Sequence, residues 1–371
     1  MTVTPDKRSY DVVVVGGGVI GLACAWRLAL RGLSVLVAER DRPGAGASGV
    51  AAGMLAPVTE ADFGEERLLE ANLAAARLWP TFGAELAERS GLPSGMAESG
   101  ALVVAADRDD AAELRRLHEF QRRLGLDASW LTPTAARRLE PGLSPRIGGA
   151  IEAPQDHQVD PRAVVAALAE AFARAGGELR AGAEVTKVAA DGVELSGGVR
   201  VAAGKVVLAA GAWSGALARV PVRPVKGQIL HCRLRGEERL CGRLVRSPRC
   251  YVVDRGDGRV VIGATVEEQG FDREVTAGAV YRLFEAAVEL LPDVEELAFE
   301  GATAGLRPAT PDNLPILGEA EDGVLLATGH YRNGVLQAPL AAQAVVAAVC
   351  DEPAPAEVAP MSPERLVRSA A

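Results

Sequence analysis

A β-branched run that opens into glycines and a helix at the amino terminus, a second βαβ-like passage after residue 160, and hairpin-spaced strands over 222–266 set the fold class. They predict an α/β protein: a Rossmann-like, doubly wound domain interleaved with an antiparallel-sheet α+β domain inserted in two pieces.

The first strand is DVVVV (11–15), a short β-branched run suited to burial on both faces. GGGVIG follows, and ACAWRLALRG continues at helical spacing until Gly32 ends it. LSVLVAER (33–40) predicts the second strand and completes a right-handed βαβ unit. Helical patterns come next at 65–90, 107–124, 160–176 and 276–291. Strand-like runs fall at 99–105, 205–210, 225–234, 243–253, 259–265 and 323–328. In the third helix Asp160 is the cap, Pro161 sits in the first turn, and Gly176–Gly177 terminate it. It feeds through Glu184–Val188 into KVVLAAGA, whereas 222–266 alternates with tight turns such as DRGDGR. No internal repeat is present.

The chain has 371 residues, 49% apolar and 24% charged, which is globular composition rather than disorder. Forty basic residues against 49 acidic ones give a net charge of −9, a poor basis for nucleic-acid binding. Only four of the 40 are Lys (7, 187, 205 and 226), so an isolated Arg carries little meaning here. Five cysteines without a CxxC pair and four scattered histidines support neither a disulfide framework nor a metal site. MTVTPDKRSYD runs directly into a strand with no signal core. The longest uncharged stretches, Val12–Trp26 and Gly334–Cys350, are interrupted by glycines or by Pro339 and fall short of a membrane span. The expectation is a soluble, cytoplasmic protein without membrane association.

Gly16, Gly18 and Gly21 supply GxGxxG between a strand and a helix. The first glycine permits the tight turn, the second lets backbone N–H groups approach a pyrophosphate, and the third lets helix and strand pack closely. Glu39 ends the second strand, placed to accept hydrogen bonds from a ribose diol and to repel a 2′-phosphate. These residues predict a dinucleotide site and leave FAD and NAD both open. The bland run RPGAGASGVAAGMLA (42–56) suits close backbone approach to a second half of the cofactor, or an ordinary loop. Gly211, after KVVLAA, marks another close approach or simply a strand–turn.

In order along the chain come VVVVGGGVIGLACAWRLA (12–29), ASGVAAGML (47–55), PVKGQ (224–228), CYVV (250–253), GRVVIGAT (258–265), AGLRPATPDNLPILG (304–318) and ATGHYRNGVLQAP (327–339). With these segments the chain resembles the FAD-dependent amine oxidases of the D-amino-acid oxidase family, above all its thiamine-pathway glycine oxidase branch. The first motif is shared by many flavoproteins; GLRP…D…PI.G followed by GH.RNG is far more specific.

The resemblance implies FAD, bound non-covalently, since no Cys lies between 251 and 349 to form a carboxyl-terminal link. It places Val19, Ile20, Glu39 and Arg40 at the adenosine, and Ala47, Ser48, Ala52, Gly53 and Met54 along the pyrophosphate and flavin. Val185 would hold the adenine, and His330, Tyr331, Arg332, Asn333, Gly334, Val335 and Leu336 would pass the flavin ring. A helix starting at Gly334 would there stabilise the negative charge of reduced flavin. The implied FAD-binding domain comprises 1–57, 155–217 and 308–371, and the substrate domain 58–154 and 218–307.

An α-amino acid must present its Cα–H to the flavin, so its carboxylate needs an anchor, and Arg fixes orientation better than Lys. Arg307 and Arg332 match the family's two active-site arginines. Arg307 is expected to form the bidentate clamp, with Tyr251 donating to the same carboxylate and Arg332 beside them. Outside those contexts an Arg of this chain is a solvated surface residue and Tyr251 a half-buried strand aromatic. A neutral amine permits direct hydride transfer, so His330, Glu267 and Glu268 are not assigned as a base, and His330 is expected to be structural. Arg249 stands where the branch is expected to carry His, which predicts tighter carboxylate binding or a larger acidic substrate. Val266 suits a small side chain.

The implied activity is oxidation of glycine, sarcosine and small D-amino acids with O2 as acceptor, giving glyoxylate, ammonia and hydrogen peroxide. A thiazole synthase would use the imine, and the family implies a homotetramer. The rivals are a D-amino-acid dehydrogenase passing electrons to quinone, the flavin domain of a tRNA wobble-uridine enzyme, and a non-catalytic flavin-binding assembly factor.

Overall fold

Five parallel strands form the spine of the first sheet, in the order Glu178–Ala181, Val35–Glu39, Ser9–Val15, Arg200–Leu208 and Leu325–Thr328. The computed structural model describes residues 9–368; positions 1–8 and 369–371, at the ends of the segments assigned to the first domain, lie outside them. The sheet is completed by Ile316–Glu319 against Leu325–Thr328, and by the hairpin Val185–Ala189 with Gly192–Leu195, which runs into Arg200–Leu208. The β-branched first strand explains itself in the packing. Val12 and Val14 enter one core with the helices, while Val13 and Val15 enter a second core on the opposite face.

Helices Val19–Ala29, Pro161–Arg174 and Gly334–Val349 share the first core, and Asp160 caps the second of them by accepting from the Arg162 N–H. Helix Glu66–Ser90 joins them through Ala71, Ala75, Trp79, Phe82 and Leu86. This helix, which lies beyond the boundary expected at 57/58, carries its apolar stripe into the first core, where Trp26 meets Phe82 edge-on at 5.4 Å.

The second sheet has eight strands, ordered Ala298–Ala309, Arg223–Arg233, Arg259–Gly263, Tyr251–Asp254, Leu244–Arg246, Ala101–Ala105, Gly149–Ala153 and Ser129–Leu131. All pairs are antiparallel except Leu244–Arg246 with Ala101–Ala105. Helix Ala277–Leu290 covers one face through Leu283, Ala287 and Leu290. The run expected as one strand over 243–253 is two, because Ser247 accepts from the N–H groups of Arg249 and Cys250 and turns the chain. A small sheet of Met54–Leu55, His157–Val159 and Met96–Ala97 lies apart from the other two. Among the described residues no helix is long and apolar enough to cross a membrane.

Candidate active site

The glycine motif forms a cradle. Gly16 sits at φ +108°, and a Cβ there would strike the Ala209 carbonyl; a Cβ at Gly21 would strike the carbonyl of Gly16. Helix Val19–Ala29 therefore opens directly against the strand ends, with Gly18 as an N-cap that offers no side chain. The Ser48 hydroxyl accepts from the Val19 N–H at 3.0 Å, tying the four-residue helix Ala47–Val50 to this turn. That short helix lies in the run without periodicity, where a loop or a cofactor contact was open. At the end of the second strand the Glu39 carboxylate accepts from the N–H groups of Gly17 (2.6 Å) and Asp41 (2.9 Å).

These elements wall a cavity of about 500 Å³ that runs from the glycine turn to the face of the second sheet. Gly16, Gly18, Val19, Ile20, Glu39 and Arg40 line one end; Ala47, Ser48, Ala52, Gly53 and Met54 follow, with Val185 and Gly211 alongside. His330, Tyr331, Arg332, Gly334 and Val335 lie along it, as do Arg307 and Tyr251. Gly21, Asn333 and Leu336 do not. Gly21 is spent on helix–strand contact, Asn333 donates to Glu60 at 3.2 Å, and Leu336 is buried with its carbonyl accepting from Trp79.

Arg307 and Tyr251 come from strands that flank two others. A Cβ at Gly227 would collide with the Arg307 guanidinium, and one at Gly263 with the Tyr251 hydroxyl. Two glycines thus let the two side chains lie flat over the sheet. Arg307 donates to the Thr265 carbonyl at 3.0 Å and has no carboxylate partner among the described residues. Burial pushes the Tyr251 phenol up to about 12, with Arg307 pulling the other way, so it is a neutral donor.

The surrounding arginines differ. Arg332 pairs with Glu65 at 2.9 Å, and Glu60 and Glu65 outweigh its burial to hold it above the usual guanidinium value. Arg246 lies 3.6 Å from Glu60 and donates to the Thr59 carbonyl. Asp156, pushed up to about 6 by burial, accepts from the N–H groups of Val58 and Thr59 and so sets the loop that carries Glu60. Arg249 lines the cavity but pairs with Glu289 of helix Ala277–Leu290, so its charge is already answered and the expected extra pull on a substrate carboxylate is reduced. Trp213, Glu60, Arg246 and Arg273 also line the cavity without having been singled out. Only Trp213 had a signal, an aromatic just past the Gly211 turn; the Arg40 guanidinium lies 4.3 Å over its ring.

The residues fit a flavin dinucleotide. The glycine cradle would admit backbone close to a pyrophosphate, Glu39 lines the cavity beside that turn, and His330 leaves a buried ring nitrogen unpartnered among the described residues. The site and the two-sheet architecture together define a class, and the comparisons agree: the chain belongs to the FAD-dependent oxidoreductase family typified by D-amino-acid oxidase, whose model matches residues 11–348. FAD is its cofactor.

Within that family the chain is similar to glycine oxidase from Geobacillus kaustophilus (strain HTA426), 39% identical over 343 residues that cover 89% of this chain and 90% of that one. A crystal structure of glycine oxidase from Geobacillus kaustophilus matches it with a TM-score of 0.90 at 37% identity, covering 96% of this chain and 98% of the other. It is also 36% identical to the bifunctional protein ThiO/ThiG of Trichormus variabilis over 90% of this chain but only 51% of that longer relative.

Proposed function

We propose that this chain is an amino-acid oxidase acting on glycine, sarcosine and small D-amino acids, with O2 as acceptor. The net reaction for glycine is glycine + O2 + H2O → glyoxylate + NH3 + H2O2. The observation that carries the reading is Arg307: a guanidinium on the cavity wall, laid over Gly227, with backbone carbonyls but no carboxylate as partners among the described residues. An unanswered cation in such a place takes an anion, and its planar fork suits a carboxylate.

When bound, FAD supplies the acceptor for the hydride leaving the substrate's Cα. Arg307 holds the substrate carboxylate, and the Tyr251 hydroxyl donates to the same group. Arg332, answered by Glu65, bounds the site without competing for that carboxylate. The substrate amine enters neutral, so no protein base is required, and acceleration comes from alignment. The similarity to ThiO/ThiG proteins supports a role in which a thiazole synthase consumes the imine. The test is peroxide detection over an amino-acid panel with the FAD-loaded protein and its Arg307→Ala variant. Glycine should yield stoichiometric peroxide with the parent and little with the variant; undiminished glycine oxidation by the variant would overturn the reading.

A further inference from the structure

Lys226 is one of four lysines in a chain of 40 basic residues, and it is 1% exposed. It lies on strand Arg223–Arg233 between Val225 and Gly227, so its side chain leaves the sheet on the face opposite the Arg307 guanidinium. A buried ammonium is costly unless a carboxylate answers it. The partner is Asp272, on the segment 265–276, whose residues are nearly all exposed.

That segment is fastened to the same strand at several further points. Lys226 and Glu267 exchange two backbone hydrogen bonds, of 2.9 and 3.0 Å. The Gln228 amide donates to the Glu267 carboxylate at 2.7 Å and accepts from the Thr276 N–H at 2.8 Å. The Thr265 hydroxyl donates to Glu267 at 2.5 Å and accepts from the Gln228 N–H at 2.9 Å. Both acceptors of the Arg307 guanidinium are backbone carbonyls of this assembly, Thr265 at 3.0 Å and Lys226 at 3.4 Å. Near the Lys226–Asp272 clasp, Phe271 lies 5.8 Å from the Trp213 ring, centroid to centroid, while Val266 and Arg273 of the same segment line the cavity.

We propose that Thr265–Thr276 is a strap, clasped on the back of the sheet by Lys226 and Asp272, that fixes the Arg307 guanidinium for the substrate carboxylate, which makes Lys226 and Asp272 positioning residues of the reaction. The proposal rests on Arg307 being the carboxylate anchor. Releasing the clasp leaves a buried charge unanswered, so the strap is held shut by the cost of opening as well as by the Phe271–Trp213 contact. The carbonyl of Thr265 then stays where Arg307 can lean on it.

The test uses the full-length, FAD-loaded protein with Asp272→Asn, Lys226→Met plus Asp272→Asn, Asp272→Glu as the conservative rescue, and Arg307→Ala as reference. Acetate binding is read from the flavin absorbance, glycine turnover from peroxide, and stability from thermal unfolding. Asp272→Asn should weaken acetate and raise the glycine KM by roughly tenfold, the loss of one charge-assisted contact, with kcat within about threefold. The double variant, freed of its buried charge, should regain thermal stability yet keep weak acetate binding, and Asp272→Glu should recover both. The double variant also serves if Asp272→Asn does not fold. If carboxylate affinity returns together with stability, or never falls, while Arg307→Ala loses acetate, the strap proposal is overturned and the anchor stands. If Arg307→Ala binds acetate like the parent, the anchor reading fails and takes the strap with it.

Discussion

Arg307 and Tyr251 each reach over a glycine of the strand beside their own, Gly227 and Gly263 respectively, so that a guanidinium and a neutral phenol share one cavity wall. Neither glycine has a positive φ that would require it, so what selects it is the space taken by the side chain above.

Adding a methyl group at either position should therefore act on ligand binding before stability. Gly227→Ala is expected to raise the glycine KM by about tenfold or more, since a misplaced clamp loses at least one charge-assisted bond. Steady-state peroxide assays beside a thermal melt separate the two effects.

Tyr251→Phe should raise the glycine KM about five- to tenfold with FAD retained, the cost of one hydrogen bond to a charged group. Because burial holds the phenol up to about 12, the parent's KM should show no phenol ionisation up to pH 10. A KM–pH profile of both proteins checks this.

Glu39→Ala should release FAD more readily, by about tenfold in Kd. Its carboxylate organises the Gly17 and Asp41 N–H groups as well as facing the cavity. Recovery of flavin fluorescence on dilution measures the change.

Arg249→His should leave the glycine KM within about twofold, because an exposed ion pair with Glu289 contributes little and already satisfies the guanidinium. A larger rise would show that Arg249 abandons Glu289 for the substrate.

His330 carries a pH dependence of stability. Burial pushes its imidazole down to about 3, below the unfolded value near 6.5. Between those values the unfolded chain binds the extra proton, so stability falls as pH drops from about 6.5 towards 3. Acid unfolding of the parent should take up about one proton more than that of His330→Gln, measurable from the pH dependence of the unfolding midpoint.

The glycine turn was legible in the sequence because its requirements are local: Gly16, Gly18, Gly21 and Glu39 sit at turns and strand ends within one βαβ unit. The motif contexts of Arg307 and Tyr251 singled out two side chains that line the same cavity. What escaped depends on partners far apart in the chain. Glu289 lies 40 positions from the Arg249 it neutralises, and Asp272 lies 46 from Lys226. The Ala47–Val50 helix escaped for another reason: four small residues carry no apolar periodicity, and contact with the glycine turn shapes them. Helix Glu66–Ser90 was found, but its allegiance to the nucleotide-binding core was not, since an apolar stripe does not say which surface it will meet.

The cavity draws its wall from both ends of the polypeptide, from Val15 through to Val335. During synthesis, then, the glycine turn and Ser48 emerge early, but the cavity wall is complete only once Val335 has left the ribosome and its helix has packed on Val19–Ala29. A chain cut short before Val335 would thus lack part of the wall that a full-length one supplies.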